Sequence, residues 1–429
     1  MAADYWAAVY PGRHVDRTFT VCYLPTCLLL IGVFIRFPKL LSHRARILTG
    51  FGGFFTLMLA VPMIDIVFVT DASTDGPPGA YSLLLLTVLL VGVLDGVSQG
   101  AIFGDAAALP SEYTHAVVGG TASSGALISL LRIATKASLP ATREGLRKSI
   151  ALYFGLSAAL SLACFGVYSA VLPRLGVVAH WRRRRTSAAA GGGSGHSTPR
   201  RGSLDGGSGG FARRVSSLSD GAQGGRGVGG APPLSDEEPL IHENHEAGAH
   251  ESATEHQQGH GKRSAAAPGW RECLMSVWRL ALAIALIYVV TIAIFPGVLA
   301  EDSHNATLGD WYPLILMTLF NFSDLAGKNA PLPKLTQRGH RTLLGWSTAR
   351  ALFLPLFLLA MRLGAPAAVI GALTVTLGVS NGYLTALVMT SAHDAAPNVA
   401  AADMLENLMV FSLVLGLLLG ALLGWCWVL

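Results

Sequence analysis

Charged residues are scarce in this chain. Asp, Glu, Lys and Arg make up 13% of the 429 residues, whereas hydrophobic residues make up 52% and the mean hydropathy is +0.49. Soluble domains carry about 25% charged residues, so this composition excludes an ordinary soluble domain. The apolar runs are about 20 residues long, enough for a helix to cross a hydrocarbon core of about 30 Å. Short segments of alternating polarity, which a membrane β-barrel needs, are absent. The sequence therefore predicts an all-α polytopic membrane protein.

Several functional motifs are also missing. The sequence contains no HExxH, GxSxG or Walker phosphate-binding motif, which argues against an enzyme and against a nucleotide-driven pump built on this chain alone. Its five cysteines show neither metal-ligand spacing nor an even disulfide framework, and we interpret them as small buried side chains. The net charge of +5 comes from the loops between apolar runs, which gives no indication of nucleic-acid binding. No cofactor is predicted.

Hydropathy predicts about ten membrane spans in two sets of five. We therefore expect an N-terminal bundle over residues 1–173 and a C-terminal bundle over residues 272–429. Residues 174–271 are rich in Gly, Ser, His and Arg, cannot bury enough apolar surface to fold, and are predicted to form a disordered cytosolic loop. The predicted spans are residues 18–36, 46–70, 80–104, 115–138, 150–172, 274–299, 310–329, 345–363, 366–391 and 404–428.

The distribution of Lys and Arg predicts the orientation. Loops such as "RFPKLLSHRAR" and "KNAPLPKLTQRGHR" are basic, whereas "TDASTDGPPGA" and "AEDSHNATLGDW" lack Lys and Arg, so the basic loops are expected in the cytosol. The loop "KASLPATREGLRKS" departs from this pattern. Asn305 begins a glycosylation sequon in a predicted outer loop. Ser203 and Ser216 each follow an Arg-Arg pair in the central loop, a pattern typical of kinase sites.

One predicted span carries polar residues on a single helical face. In "TLFNFSDLAGKNAP", Asn321, Asp324 and Lys328 are spaced i, i+3 and i+7. A charge within the bilayer costs a few kcal/mol, so Asp324 and Lys328 are expected to neutralise each other in part. The stripe either faces an aqueous cavity and binds a hydroxylated substrate, or forms an ion pair that only fixes helix packing.

A second stretch, "VGVLDGVSQGAIFGD", combines glycines with polar residues. Glycine occupies every fourth position, at Gly92, Gly96, Gly100 and Gly104. This spacing predicts a close contact with another helix. Asp95 and Gln99 lie beside the stripe, and we expect them to face the space that the two helices enclose. Gln99 offers a donor and an acceptor, which suits the edge of a nucleobase or an amide. The later run "GVSNGYLTAL" is interpreted as a packing surface.

These stretches resemble one family of transporters. "SQGAIFG" and "LPSEYTHAVVGGTASSG" resemble the fourth and fifth spans of the equilibrative nucleoside transporters, and "LFNFSDLAGK" resembles their eighth. "GVSNGYLTAL" and "LGLLLGALLGW" resemble the tenth and eleventh spans. The similarity covers nearly the whole chain outside the central loop, and the branch resembles the plant-type one. It implies a major-facilitator-like fold of two helical bundles that alternate access to a midplane site.

The resemblance also implies a function and its residues. The expected activity is transport of nucleosides, or in some members nucleobases, by facilitated diffusion or proton-linked uptake. Gln99 matches a glutamine that contacts the base, and Asp324 matches an aspartate that contacts ribose hydroxyls, with Asn321 beside it. Lys328 stands where many animal members have arginine, so it keeps the charge without the bidentate fork. Asp95 replaces a small residue of some animal members and is a candidate proton carrier.

The resemblance further predicts a difference at the amino terminus. The chain begins at "MAADYW", where the family's first span would end, which predicts the family fold without that span. The alternative to a carrier is therefore a non-transporting truncated membrane protein, acting as a regulatory partner or an inactive product. The expected location is a lipid bilayer, either the plasma membrane or a vacuolar or endolysosomal membrane.

Overall fold

The computed structural model describes residues 9–10, 14–68, 78–139, 142–176, 178–180, 269–295, 297, 299, 305, 307–309, 311–333 and 337–425. Most of the predicted central loop, with Ser203 and Ser216, lies outside these residues. The described part of the chain contains eleven α-helices and no strand. They are α1 (Val15–Arg36), α2 (His43–Phe68), α3 (Pro78–Ala106), α4 (Ser111–Ser138), α5 (Arg143–Gly166), α6 (Trp270–Ile294), α7 (Trp311–Lys328), α8 (Gln337–Ala349), α9 (Phe353–Arg362), α10 (Ala367–Asp394) and α11 (Val399–Gly424).

Nine segments in this part of the chain are long and apolar enough to cross a membrane. They correspond to nine of the ten predicted spans, with α5 continuing through a π turn to Arg174 and with α8 and α9 forming one segment through a 3-10 turn at Arg350–Leu352. The predicted span over 310–329 is α7, an 18-residue helix, which is less apolar because it contains Asn321, Asp324 and Lys328. The prediction of an all-α polytopic membrane protein is confirmed.

The surface of these helices is apolar, and several charges lie inside. Leu29 and Leu352, for example, are each 65% exposed. A surface of such residues would be unfavourable in water, but in a membrane it places apolar side chains against lipid. Arg46, Arg350 and Glu406 are buried. Ionisable groups within a membrane protein are rare and face the interior, where other groups can pair with them.

Two sets of helices pack chiefly among themselves. In the first set, α2 packs on α3 and α5, and α3 packs on α1; in the second, α11 packs on α6, and α10 packs on α7. The sets meet where α4 contacts α7 and α10, and where α1 and α3 contact α11. The largest apolar cluster crosses this boundary, because it includes Ile31 of α1, Ile284 of α6 and Leu408 of α11.

Glycines allow the closest helix approaches, as predicted. A Cβ atom at Gly92 would lie 2.6 Å from the Tyr23 carbonyl of α1, and one at Gly96 would lie 2.7 Å from the Cys27 carbonyl. Between α7 and α10, a Cβ atom at Gly382 would lie 2.1 Å from the Asp324 carbonyl. Contacts this short leave no room for a side chain, so these helix pairs pack backbone against backbone.

Candidate functional site

The polar face of α7 is buried and internally paired. The Lys328 ammonium nitrogen lies 2.9 Å from Oδ2 of Asp324, one helical turn away, and the two side chains are only 7% and 8% exposed. This is the partial neutralisation that the i, i+4 spacing predicts. Because both groups are deeply buried, the loss of either would leave an uncompensated charge.

The second oxygen of Asp324 is bound from α10. Nδ2 of Asn381 donates to Oδ1 of Asp324 at 2.7 Å. Oδ1 of Asn381 in turn accepts a hydrogen bond from the Thr291 hydroxyl of α6 at 2.8 Å. The sequence reading of "GVSNGYLTAL" as packing surface is therefore incomplete, because Asn381 also fixes the Asp324 carboxylate.

Arg350 closes the network at the α8–α9 junction. Its guanidinium donates to the hydroxyls of Ser380 and Thr291 at 3.1 and 3.0 Å, and to the carbonyls of Ile287 and Leu377 at 2.8 and 3.1 Å. Four protein acceptors use most of its five N–H donors. Sequence reasoning overlooked Arg350, although a charge inside the predicted span 345–363 is itself the signal of a buried polar site.

Arg350→Lys is expected to destabilise the protein. A lysine offers a point charge without the planar fork, so at least two buried acceptors would lose their donors, at a cost of about 1–3 kcal/mol each. The thermal midpoint of the purified protein in detergent should fall. Arg341→Lys, which changes an exposed arginine on α8, is the matched control and should leave the midpoint unchanged; an equal midpoint in both variants would contradict the structural role of Arg350.

The first set of helices contacts this network through α4. Nδ2 of Asn321 donates to the Ser129 hydroxyl at 2.7 Å, and the Lys328 ammonium lies 3.5 Å from the Thr121 hydroxyl. Nε2 of His115 lies 2.6 Å from the Lys328 carbonyl. The three predicted α7 residues therefore belong to a polar network that joins both sets of helices.

Asp95 and Gln99 lie in a different environment. The Tyr23 hydroxyl donates to the Asp95 carboxylate, and the Cys27 thiol lies 3.4 Å from it. Oε1 of the half-buried Gln99 is 4.0 Å from the same thiol, and among the described residues its Nε2 has no hydrogen-bond acceptor. Asp95 is thus bonded to α1, and the contacts of Asp95 and Gln99 that the structure records are with α1 and not with the α7 network.

A cavity of about 260 Å³ lies elsewhere, between α2 and α5. Asp65, Arg147 and Lys148 are among its lining residues, and Arg147 is paired with Asp65 at 3.0 Å. None of the predicted substrate residues lines it. No cluster of three or more metal-ligating side chains occurs in the part of the chain that the structure describes.

Asn305 is the predicted glycosylation site that the structure describes. Its Oδ1 accepts hydrogen bonds from the backbone N–H groups of Thr307 and Leu308, each at 3.0 Å. The side chain therefore stabilises a turn just before α7, in a loop.

Comparison with known proteins identifies the family of this chain. A family model described as nucleoside transporter matches residues 85–429. Equilibrative nucleotide transporter 8 of Arabidopsis thaliana is 31% identical over 430 residues, covering 99% of this chain and 89% of the relative. Equilibrative nucleotide transporter 2 of the same plant is 32% identical over 429 residues, with the same coverage of 99% and 89%. The match extends across nearly the entire chain, and this protein therefore belongs to the nucleoside transporter family.

Proposed function

We propose that this chain carries nucleosides across a membrane by alternating access. The main support is the buried Asp324 carboxylate, which Lys328 and Asn381 hold at the contact between the two sets of helices. A carboxylate accepts hydrogen bonds from vicinal hydroxyls such as those of ribose. We further propose that helices α1–α5 and α6–α11 act as the two bundles that move about this contact.

Gln99 is the proposed base-recognising residue. Its half-buried amide has an unused donor and an acceptor that meets only a weakly polar thiol, so both can pair with the edge of a nucleobase. Asn321 is proposed to assist Asp324, exchanging its hydrogen bond with Ser129 for one to substrate. Lys328 is proposed to orient the carboxylate, since its ammonium is already committed to it.

A nucleoside fits the local charges better than a nucleotide. The printed names of the plant relatives refer to nucleotides. In this chain the Lys328 ammonium is neutralised by Asp324, and the guanidinium of Arg350 is taken up by protein acceptors. Asp95 adds a second carboxylate near Gln99. A phosphate would therefore meet negative charge at Asp324 and Asp95, and neither Lys328 nor Arg350 is free to bind it, whereas an uncharged nucleoside would meet no such repulsion.

Uptake into vesicles tests the proposal. Purified protein reconstituted in lipid vesicles is expected to take up radiolabelled adenosine or uridine saturably, with competition by unlabelled nucleoside but not by AMP. Gln99→Ala should lower uptake by about thirtyfold, because two hydrogen bonds to the base are each worth about 1 kcal/mol. Thr376→Ala, which removes an exposed hydroxyl bonded within its own helix, is the control and should transport normally.

Three results would change this assignment. Absence of saturable uptake by correctly inserted protein would contradict the carrier and favour the non-transporting alternative. Equal competition by AMP and adenosine would show that the site also accepts a nucleotide and would contradict the preference for uncharged nucleosides. Normal uptake by Gln99→Ala would remove that residue from the site. Expression of the tagged chain in cells would show whether it resides in the plasma membrane or in a vacuolar or endolysosomal membrane.

A further inference from the structure

Three polar side chains from three helices meet outside the site described above. Oε1 of Glu406 on α11 lies 3.2 Å from the Thr114 hydroxyl of α4 and 3.2 Å from Nδ1 of His393 on α10. The Thr114 hydroxyl is itself 3.2 Å from the same ring nitrogen. The three atoms form a triangle in which each group is within hydrogen-bond distance of the other two.

Glu406 has an incomplete set of partners. Its side chain is 0% exposed, and its Oε2 has no hydrogen-bond partner. The recorded side-chain partners of the His393 ring are Glu406 and Thr114, both at Nδ1. An imidazole beside a carboxylate can hold a proton on each nitrogen. A buried carboxylate with an unpartnered oxygen is costly, so this site favours a proton shared within the pair.

The triangle lies where the two sets of helices meet. Thr114 belongs to the first turn of α4, in the first set, whereas His393 and Glu406 belong to the second. At the same end of the helices, Nε2 of His43 on α2 lies 3.5 Å from Oδ2 of Asp403 on α11. This end carries the basic loop between α1 and α2, which the charge distribution predicts to face the cytosol.

Other charges surround the pair without neutralising Glu406 directly. Asp403, one turn earlier on α11, acts on Glu406 electrostatically, and Asp394 acts on His393. Asp403 in turn interacts with His43 and with Arg46, both from α2. His393 is thus the nearest cationic partner recorded for Glu406. The net charge of the pair is set by the protonation of these two side chains, which face each other.

Asp95 is less suited to link a proton to a movement of the bundles. Its recorded partners are Tyr23 and Cys27, both on α1. The α1 and α3 helices belong to the same set and pack on each other through glycines. Separation of the two sets would leave Asp95 with its partners, whereas it would remove Thr114 from Glu406.

We propose that Glu406, with His393 and Thr114, forms a proton-binding site that closes this end of the contact between the two sets of helices. The inference deepens the proposed transport function and rests on it. Closure holds the proton between Glu406 and His393, out of contact with water. Opening returns the carboxyl and the imidazole to water and allows the proton to leave on the side that this end faces. Substrate movement would then be coupled to one proton per opening.

Accumulation against a gradient tests the coupling. In vesicles with a proton gradient of about one pH unit, the wild-type protein should concentrate adenosine by up to about tenfold, because one unit corresponds to about 1.4 kcal/mol. Glu406→Gln removes the titratable group at nearly constant shape, and the accumulation ratio should fall to about one. Glu144→Gln changes a glutamate whose side chain is 78% exposed and should accumulate as the wild type does. His393→Gln provides an independent variant and should also lose accumulation.

A second measurement does not need transport. Infrared difference spectra of the purified protein across the acidic range should contain a carboxyl band that disappears in Glu406→Gln and persists in Asp95→Asn.

Exchange of labelled for unlabelled adenosine without a gradient reports separately whether the wild-type chain transports at all. Exchange without any accumulation would overturn the inference and leave the proposed function standing. Accumulation of adenosine by Glu406→Gln, or a carboxyl band that is unchanged in Glu406→Gln, would also overturn it. If the wild-type protein shows no exchange, the proposed function fails, and the infrared result alone decides whether Glu406 binds the proton.

Discussion

Asp324→Ala is expected to abolish most nucleoside uptake and to destabilise the protein. The substitution leaves the Lys328 ammonium, whose side chain is 7% exposed, without its partner at 2.9 Å, and it leaves the Asn381 amide without its acceptor at 2.7 Å. Removing one member of a buried ion pair costs about 3–5 kcal/mol. Loss of charged hydrogen bonds to substrate hydroxyls, at about 1.5–3 kcal/mol, should lower uptake by about tenfold to a hundredfold. Vesicle uptake and the thermal midpoint in detergent measure the two effects.

A double variant separates folding from substrate binding. Asp324→Asn combined with Lys328→Gln removes both charges and keeps an acceptor for Asn381, so the thermal midpoint should recover while uptake does not. Asp65→Asn is the matched control, because Asp65 is also a buried carboxylate paired with a cation, at 3.0 Å from Arg147. It should lower stability but not uptake per inserted molecule. Normal uptake by the double variant would show that the α7 pair only fixes packing.

Gly382→Ala should disrupt the α7–α10 contact. The added Cβ atom would lie 2.1 Å from the carbonyl oxygen of Asp324 and 2.8 Å from the backbone nitrogen of Lys328. Neither is the end of a flexible side chain, so the two helices must separate. Overpacking of this kind costs about 1–3 kcal/mol or more. It also moves Asn381, the neighbouring residue, away from Asp324. The yield of monodisperse protein and the uptake per inserted molecule should both fall.

The same substitution elsewhere provides the control. A Cβ atom at Gly155 of α5 would meet nothing within 4 Å, and alanine is favoured over glycine in a helix by about 1 kcal/mol. Gly155→Ala should therefore be neutral or slightly stabilising. Gly327→Ala should behave as Gly382→Ala does, because its Cβ atom would lie 2.4 Å from the Val379 carbonyl. Equal behaviour of Gly382→Ala and Gly155→Ala would show that α7 and α10 can separate at no cost.

Contacts within one helix were predictable from the sequence, and contacts between distant helices were not. The Asp324–Lys328 pair follows from i, i+4 spacing, and the glycine stripe of α3 predicts a close neighbour. Asn381 is 57 residues from Asp324, and no local pattern could assign it to that carboxylate. Asp95 shows the same difficulty, because its helical position predicts a face but does not predict that Tyr23 and Cys27 occupy the adjoining space. Periodicity reports which residues share a face, whereas the partner across that face depends on how the helices pack.

Helix α7 contacts α10 and α4 in different ways, and this difference indicates which of the two contacts can open in the proposed transport cycle. Toward α10 the contact is backbone on backbone and cannot change without separating the two helices. In the proposed transport cycle, α7 and α10 would therefore move together, with Asp324 and Asn381 between them. Toward α4 the recorded polar contacts are three side-chain hydrogen bonds, from Asn321, Lys328 and His115. At about 1 kcal/mol each, their loss would by itself lower the population of the separated arrangement by about a hundredfold. A substrate that replaced these three bonds with its own hydroxyl and amide groups would remove that penalty. The same three hydrogen bonds would then explain both why the separated arrangement is rare without substrate and why substrate speeds the proposed transport.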